Sequence, residues 1–257
     1  MSLATSLVSR PLHSRRLNFY KKYLQFVVQD KLSRRAFFFQ SSRHGISDVL
    51  DLKPFIGPSD ILIDIGANVG QTAFKFRAAF PRNRILCFEP VASTFQRLEE
   101  RTEKLGVERY RLALGAASGT ETMYLTDFSV TSSFHPSDPA KVRGTEQVKV
   151  VTLDEFLAEH NGNHVGLLKI DAEGHDLQVI AGAKRILSSG AVKFVSAEVG
   201  FGQGPLLPID NVRDALAEHG FRLFGLYDQA LDWEGDPILH IANAVFISKS
   251  CCESVYH

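Results

Sequence analysis

From residue 61 onward the chain alternates short apolar runs with stretches of helical periodicity. A parallel sheet covered by helices produces this pattern. Strands buried on both faces read as continuous apolar runs, whereas the covering helices are apolar along one stripe. Seven runs have strand length, at residues 61–65, 84–88, 109–114, 166–170, 192–199, 221–226 and 242–247. After the first, Val69, Ala73, Phe76 and Phe80 share one helical stripe, which Pro81 ends. Ser93 with Gln96, and Thr152 with Glu155, have capping-box spacing ahead of helical periodicity. Further helices are expected over 176–187 and 211–219. The interval 118–151 differs, because 121–125 and 147–151 alternate in the strand manner around a loop-like stretch at 131–136. This predicts an inserted antiparallel hairpin whose loop approaches the carboxyl edge of the sheet.

The first run leads into DIGANVGQ at 64–71, an acid at the end of a buried strand followed by glycines that open a helix. Glycine lets a ligand approach the backbone, and the unpaired N–H groups of a helix start suit a carboxylate or phosphate. Three residues separate Gly66 from Gly70, and Asp64 precedes both. A dinucleotide fingerprint requires GxGxxG, so an NAD-dependent oxidoreductase is disfavoured. Glu89 ends the second run, 19 residues after Gly70, where a carboxylate accepts from both hydroxyls of an adenosine ribose. Farther on, Asp171, Glu173, His175 and Asp176 fall within six residues at the end of the fourth run, and Glu198 ends the fifth. If those two runs pair, Glu198 lies beside Asp171. Such a pair orients a hydroxyl or holds a divalent cation such as Mg2+. The plainer alternatives are strand-end charges facing water, a turn at Glu173 and Gly174, and Asp176 as a helix N-cap.

Charge and composition refine this picture. The 29 basic and 29 acidic residues cancel, but residues 1–47 hold nine Lys or Arg against Asp30 alone, so the remainder is acidic. The basic stretch includes an amphipathic pattern over 17–39, read as a helix lying on the catalytic part, with a transit peptide or an anion-binding face as alternatives. An acidic body argues against a nucleic-acid ligand. No apolar run approaches the roughly 20 residues of a membrane span. Cys87, Cys251 and Cys252 have no zinc-binding spacing and imply a reducing, cytoplasmic setting.

In order and spacing, DIGANVGQ at 64–71, FEP at 88–90, LALG at 112–115, TLDEFL at 152–157 and LKIDAEGHD at 168–176 resemble FkbM-type methyltransferases over about residues 60–200. The resemblance implies an α/β, Rossmann-like class I methyltransferase domain over 51–257, preceded by a basic helical extension at 1–50. Its sheet would have seven strands, mostly parallel with the last antiparallel, and helices on both faces. The donor would be S-adenosylmethionine. Asp64, Gly66, Asn68 and Gly70 would line its methionine end, with Ala67 and Gln71 in the same loop. Glu89 would bind the ribose, with Pro90 beside it, and backbone near Leu114 and Gly115 would meet the adenine. The acid that class I enzymes often place beside the adenine is replaced here by Leu112-Ala113-Leu114-Gly115, so a backbone contact must substitute.

The implied reaction is O-methylation of a small molecule, a sugar or secondary metabolite. The alternative is a cofactor-binding module of the same fold without catalysis. An unactivated hydroxyl holds its proton far above neutral pH, so a base or metal must help. His175 is the candidate base because histidine titrates nearest neutrality. Asp171 would hold the hydroxyl, the cofactor amine or, with Glu198, a metal, and Glu173 completes the catalytic candidates. Ser132, Ser133, His135, Tyr227 and Trp233 are further candidates for the acceptor pocket, with the loop 201–205 as its gate.

Overall fold

The computed structural model describes residues 47–126, 132–134, 139–202, 206–231 and 238–254. The basic stretch with its 17–39 pattern, His135, residues 203–205 and Trp233 lie outside the described residues. In chain order the elements are α1 (Asp48–Leu52), β1 (Ile61–Ile65), α2 (Gln71–Ala79), β2 (Arg84–Phe88), α3 (Ala92–Thr102), β3 (Glu108–Tyr110), β4 (Ala113–Leu114), β5 (Gly119–Thr126) and β6 (Val142–Val151). They continue with α4 (Leu153–Glu159), β7 (Val165–Ile170), α5 (Asp176–Ala181), α6 (Lys184–Ser188), β8 (Val192–Gly200), α7 (Ile209–Ala217), β9 (Phe221–Leu231), β10 (Leu239–Ser248) and α8 (Lys249–Ser254).

The seven-stranded sheet has the order β3-β2-β1-β7-β8-β10-β9. Strands β3, β2, β1, β7 and β8 run parallel, and β10 is antiparallel to both β8 and β9. This is the class I methyltransferase sheet expected from the sequence. Every residue of β1 is buried. Ile61, Ile63 and Ile65 enter one apolar cluster with Phe156 of α4, Val179 of α5, Leu187 of α6 and Leu216 of α7. Leu62, pointing the other way, is equally buried, and α2 packs against β1 and β2. A strand covered on both faces has no polar side to show, which is why these runs are continuous. The helical stripe Val69, Ala73, Phe76 and Phe80 is buried as its spacing predicts.

The order reverses at β1, whose neighbours are β2 and β7. Ile65 is in register with both Phe88 and Ile170, and Ile170 with Ala197. The chain therefore leaves these four strands at one edge, the topological switch point where ligands of such sheets collect.

Three expectations need correction. The run 109–114 is two strands: β3 stays in the main sheet, while β4 pairs with β6 in a second sheet of order β4-β6-β5. The switch follows packing, since Tyr110 stacks on Phe88 whereas Ala113 joins Val91, Met123, Phe134, Val148 and Val150 in a separate cluster. The helix expected over 176–187 is broken into α5 and α6. A Cβ on Gly182, at the joint, would lie 1.9 Å from the Gly115 carbonyl oxygen, so this close approach admits only glycine. Ser93 is not a cap. Helix α3 starts from Val91, and its Ala92 N–H donates to both oxygens of Glu146 on β6, at 3.1 and 3.3 Å. The inserted hairpin is present as the antiparallel pair β5–β6.

Thr152 does cap α4, its hydroxyl accepting from the Glu155 N–H at 3.1 Å. Glu155 accepts from the Ser118 hydroxyl, whose oxygen in turn accepts from the Thr152 N–H, so Ser118 closes the box. Thr152→Ala is expected to lower unfolding free energy by about 1 kcal/mol in urea titration, with no effect on ligand affinity. No helix among the described residues is long and apolar enough to cross a membrane.

Candidate functional site

At the switch point the loop from β1 to α2 folds back over β2, and the N–H groups of Gly66 and Ala67 both donate to the Phe88 carbonyl, at 3.0 and 2.9 Å. Gly66 has φ +75°, and a Cβ there would lie 1.9 Å from the Asp171 carbonyl oxygen. Gly70 has φ +90°, and its Cβ would lie 2.6 Å from Thr102 Cγ2. The left-handed backbone and contacts within the chain already require these glycines. Asn68, at φ +49°, directs its N–H to Glu89 Oε2 at 3.1 Å, while the Val91 N–H reaches Oε1 at 2.9 Å. Glu89 is thus held at both oxygens. Burial pushes its carboxyl up to about 7, although the two backbone donors oppose the shift.

Gly66, Ala67, Asn68 and Glu89 border a cavity of about 290 Å3. One wall is the β1–α2 loop, from Ile65 to Asn68 with Gln71 and Thr72; a second is Phe88 to Val91. Leu112 to Leu114 form a third, together with Met123, Ser132 and Phe134 from the inserted segment. The opposite side is polar, made of Lys169, Asp171, Glu173, Glu198 and Asn243.

Lys169 went unnoticed in the sequence, although a lysine inside the otherwise buried run of β7 was a signal. Its Nζ lies 2.9 Å from Asp171 Oδ2 and 3.5 Å from Asp64 Oδ1. Burial works against the ammonium charge, but the Asp64 and Asp171 carboxylates outweigh it and push the pKa up. Asp64 is fully buried and does not line the cavity; burial raises its pKa and Lys169 opposes the rise. Neither of its carboxylate oxygens has a hydrogen-bond partner among the described residues, the Lys169 ammonium being an ion-pair neighbour only.

Glu198 faces Asn243 across the β8–β10 ladder. Its carboxyl is pushed up to about 7 by burial and then by the charge of Asp171. Glu173 sits at φ +49° on the turn after β7 and, though more exposed, is pushed up to about 8 by lost solvation and then by Asp171 and Glu198. Of the four non-glycine residues with positive φ among the described residues, Asn68 and Glu173 line the cavity, whereas Asn161 and Asp228 do not.

Other sequence candidates are placed differently. His175 is buried behind the wall, its ring 4.4 Å from that of Phe134, and does not line the cavity. Asp176 binds the turn beneath, accepting from the Ala172 and Gly174 N–H groups at 3.3 and 3.2 Å. His175 takes the N-cap position of α5 instead. Gly70 and Gly115 do not line the cavity, nor does Tyr227, whose hydroxyl donates to Asp51 of α1 at 2.9 Å. The residues do not fit the Mg2+ option. Asp171 already takes its cation from Lys169, and no group of three or more His, Cys, Asp or Glu suited to a metal occurs among the described residues.

Residues 64–223 match the methyltransferase FkbM domain family. Methyltransferase 1 of Beauveria bassiana is 31% identical over 159 residues, covering 53% of this chain and 63% of that protein. The hexuronic acid methyltransferase AglP of Haloferax volcanii is 29% identical over 154 residues, covering 57% of this chain and 58% of that protein. The 31-O-demethyl-FK506 methyltransferase FkbM of Streptomyces tacrolimicus is 25% identical over 190 residues, covering 62% and 68%. The chain therefore spans less than two thirds of the length of the first two relatives.

Proposed function

Because the chain belongs to the methyltransferase FkbM family, we propose that its 51–257 domain moves a methyl group from S-adenosylmethionine to a hydroxyl of a small molecule, a sugar or a secondary metabolite. The observation that carries this reading is the division of the cavity: a doubly anchored Glu89 beside apolar walls on one side, and a lysine among carboxylates on the other. Two relatives, the hexuronic acid methyltransferase and the 31-O-demethyl-FK506 methyltransferase, support an oxygen acceptor.

The residues fit the donor. Each oxygen of Glu89 takes one backbone N–H, which leaves lone pairs for the two ribose hydroxyls. Leu112, Ala113 and Leu114 offer an apolar face and main-chain groups to an adenine. Ala67, Asn68, Gln71 and Thr72 are left for the methionine end, and Gly66, Gly70 and Gly115 hold the walls in shape. S-adenosylmethionine, when bound, supplies a methyl group on a positively charged sulfur. The chain must place an acceptor hydroxyl in line with it and take the proton.

Glu198, the more deeply set of the two high-pKa carboxyls on the polar side, takes that proton in this reading. Glu173 and Asn243 orient the acceptor, and His175 supports the wall through Phe134 instead of acting as the base. Carboxylates at Glu89, Asp171, Glu173 and Glu198 against one lysine also disfavour a phosphodiester acceptor.

Calorimetry with S-adenosylhomocysteine tests the cofactor half. The wild-type protein is expected to bind it, and Glu89→Gln to weaken it roughly 10- to 100-fold, the loss of about 1.5–3 kcal/mol that removing a charged hydrogen-bond partner brings. Absence of binding by the wild type would sink the reading.

A further inference from the structure

We propose that Lys169 is a catalytic residue whose ammonium stabilises the acceptor oxygen as its proton leaves, the electrophilic task a divalent cation performs elsewhere. The inference rests on the methyl-transfer reading above.

Lys169 is the cation among the residues that line the cavity. It projects from β7 in register with Asp64 of β1 on one side and Ser196 of β8 on the other, and its side chain is 16% exposed. The flanking strands leave the stem little freedom, so the head group is fixed in place. An ammonium carries three donors. Asp171 accepts from it at 2.9 Å and Asp64 is an ion-pair partner at 3.5 Å, so at least one N–H is left for the cavity.

The charged groups around it are acids: Asp64 from β1, Asp171 and Glu173 from the turn after β7, and Glu198 from β8, with Asp176 set beneath that turn. With Asp64 and Asp171 holding the lysine, Glu198 is left to take a proton, and the two functions stand side by side. A purely structural lysine has no need of a place on a cavity wall. In the step itself the acceptor proton passes to a Glu198 carboxylate oxygen. The O–C bond forms as the C–S bond breaks, its electron pair staying with sulfur. Lys169 exchanges no proton.

A chromogenic phenol, 4-nitrophenol, is the probe, titrated with the protein and S-adenosylhomocysteine while its ionised fraction is read by absorbance. Wild type is expected to raise the ratio of ionised to neutral probe about tenfold over that in buffer, one pKa unit. Lys169→Met is expected to abolish the gain and Lys169→Arg to restore part of it, while calorimetric affinity of Lys169→Met for S-adenosylhomocysteine stays within about threefold of wild type. The double variant Asp64→Asn with Lys169→Met, which removes the buried charge left behind, serves in place of Lys169→Met if the single variant does not fold. No gain in the wild type, or the same gain without the lysine, would overturn the proposal. So would loss of S-adenosylhomocysteine affinity in a folded Lys169→Met, which would place Lys169 in the donor site instead. Failure of the wild type to bind S-adenosylhomocysteine would count against the methyl-transfer reading itself.

Discussion

Gly66→Ala is expected to lower unfolding free energy by roughly 2–5 kcal/mol and to abolish S-adenosylhomocysteine binding. Two costs add. At φ +75° an alanine occupies the left-handed region, at about 1–2 kcal/mol. Its Cβ would also stand 1.9 Å from the Asp171 carbonyl oxygen, and such overpacking costs typically 1–3 kcal/mol. The obstacle is backbone, which cannot swing aside as a side chain would. Relief must come by parting the ends of β1 and β7, where the Asp171 N–H donates to the Ile65 carbonyl at 3.1 Å. That movement displaces both the loop expected to hold the methionine end and the turn that carries Asp171. Gly119→Ala is the control, since a Cβ there meets nothing within 4 Å. Urea titration of the two variants checks the claim, and equal stabilities would refute it.

Stability and turnover are expected to move in opposite directions with pH. Glu89 and Glu198 have carboxyls pushed up to about 7, and Glu173 to about 8, against an ordinary glutamate value near 4.5. Between the ordinary and the raised values the folded state binds more protons than the unfolded chain. The stability these groups contribute is therefore complete below about 4.5 and is lost as pH rises through 7 to 8. Glu89 and Glu198 dominate because Glu173 is partly screened by solvent, and a loss of roughly 1–2 kcal/mol between pH 5 and 8 is expected.

Methyl transfer needs the opposite protonation. A carboxyl that must accept a proton works only when ionised, so the rate should climb up to tenfold per pH unit below about 7 and level off above it. Thermal melts and initial rates over the same buffers test both halves. Glu198→Gln should lower the plateau rate by about 100-fold and flatten part of the stability slope. A rate independent of pH between 5 and 7 would remove Glu198 from the proposed role.

The sheet was legible in the sequence because strands buried on both faces leave nearly continuous apolar runs, as in ILIDI of β1 and VGLLKI of β7, each interrupted by a single charge. The edge on which the site lies was legible too, since Asp64, Glu89, Asp171 and Glu198 all stand at ends of such runs. What escaped depended on partners distant in sequence. Nothing local to residues 109–114 shows that Ala113 and Leu114 pair with β6 instead of continuing β3. Ala92 finds its capping acceptor in Glu146, 54 residues away, which no capping-box spacing reveals. Histidine's ordinary titration range singled out His175, but the fold buries its ring against Phe134, behind the cavity lining. Lys169 escaped because a charge in a strand core marks a site only once its two carboxylate partners, from different segments, are known.

The central position of β1 also bears on the order in which the molecule is made. Its pairing with β2 joins Ile65 to Phe88, whereas its other edge must wait for Ile170, a hundred or so residues later. Closing so long a loop is slow. A chain still emerging from the ribosome can therefore assemble the Gly66–Glu89 side of the cavity while the free edge of β1 stays open to pairing with other chains. The half that carries Lys169 and Glu198 completes the molecule last, and synthesis stalled before Val165 would leave a species prone to aggregate.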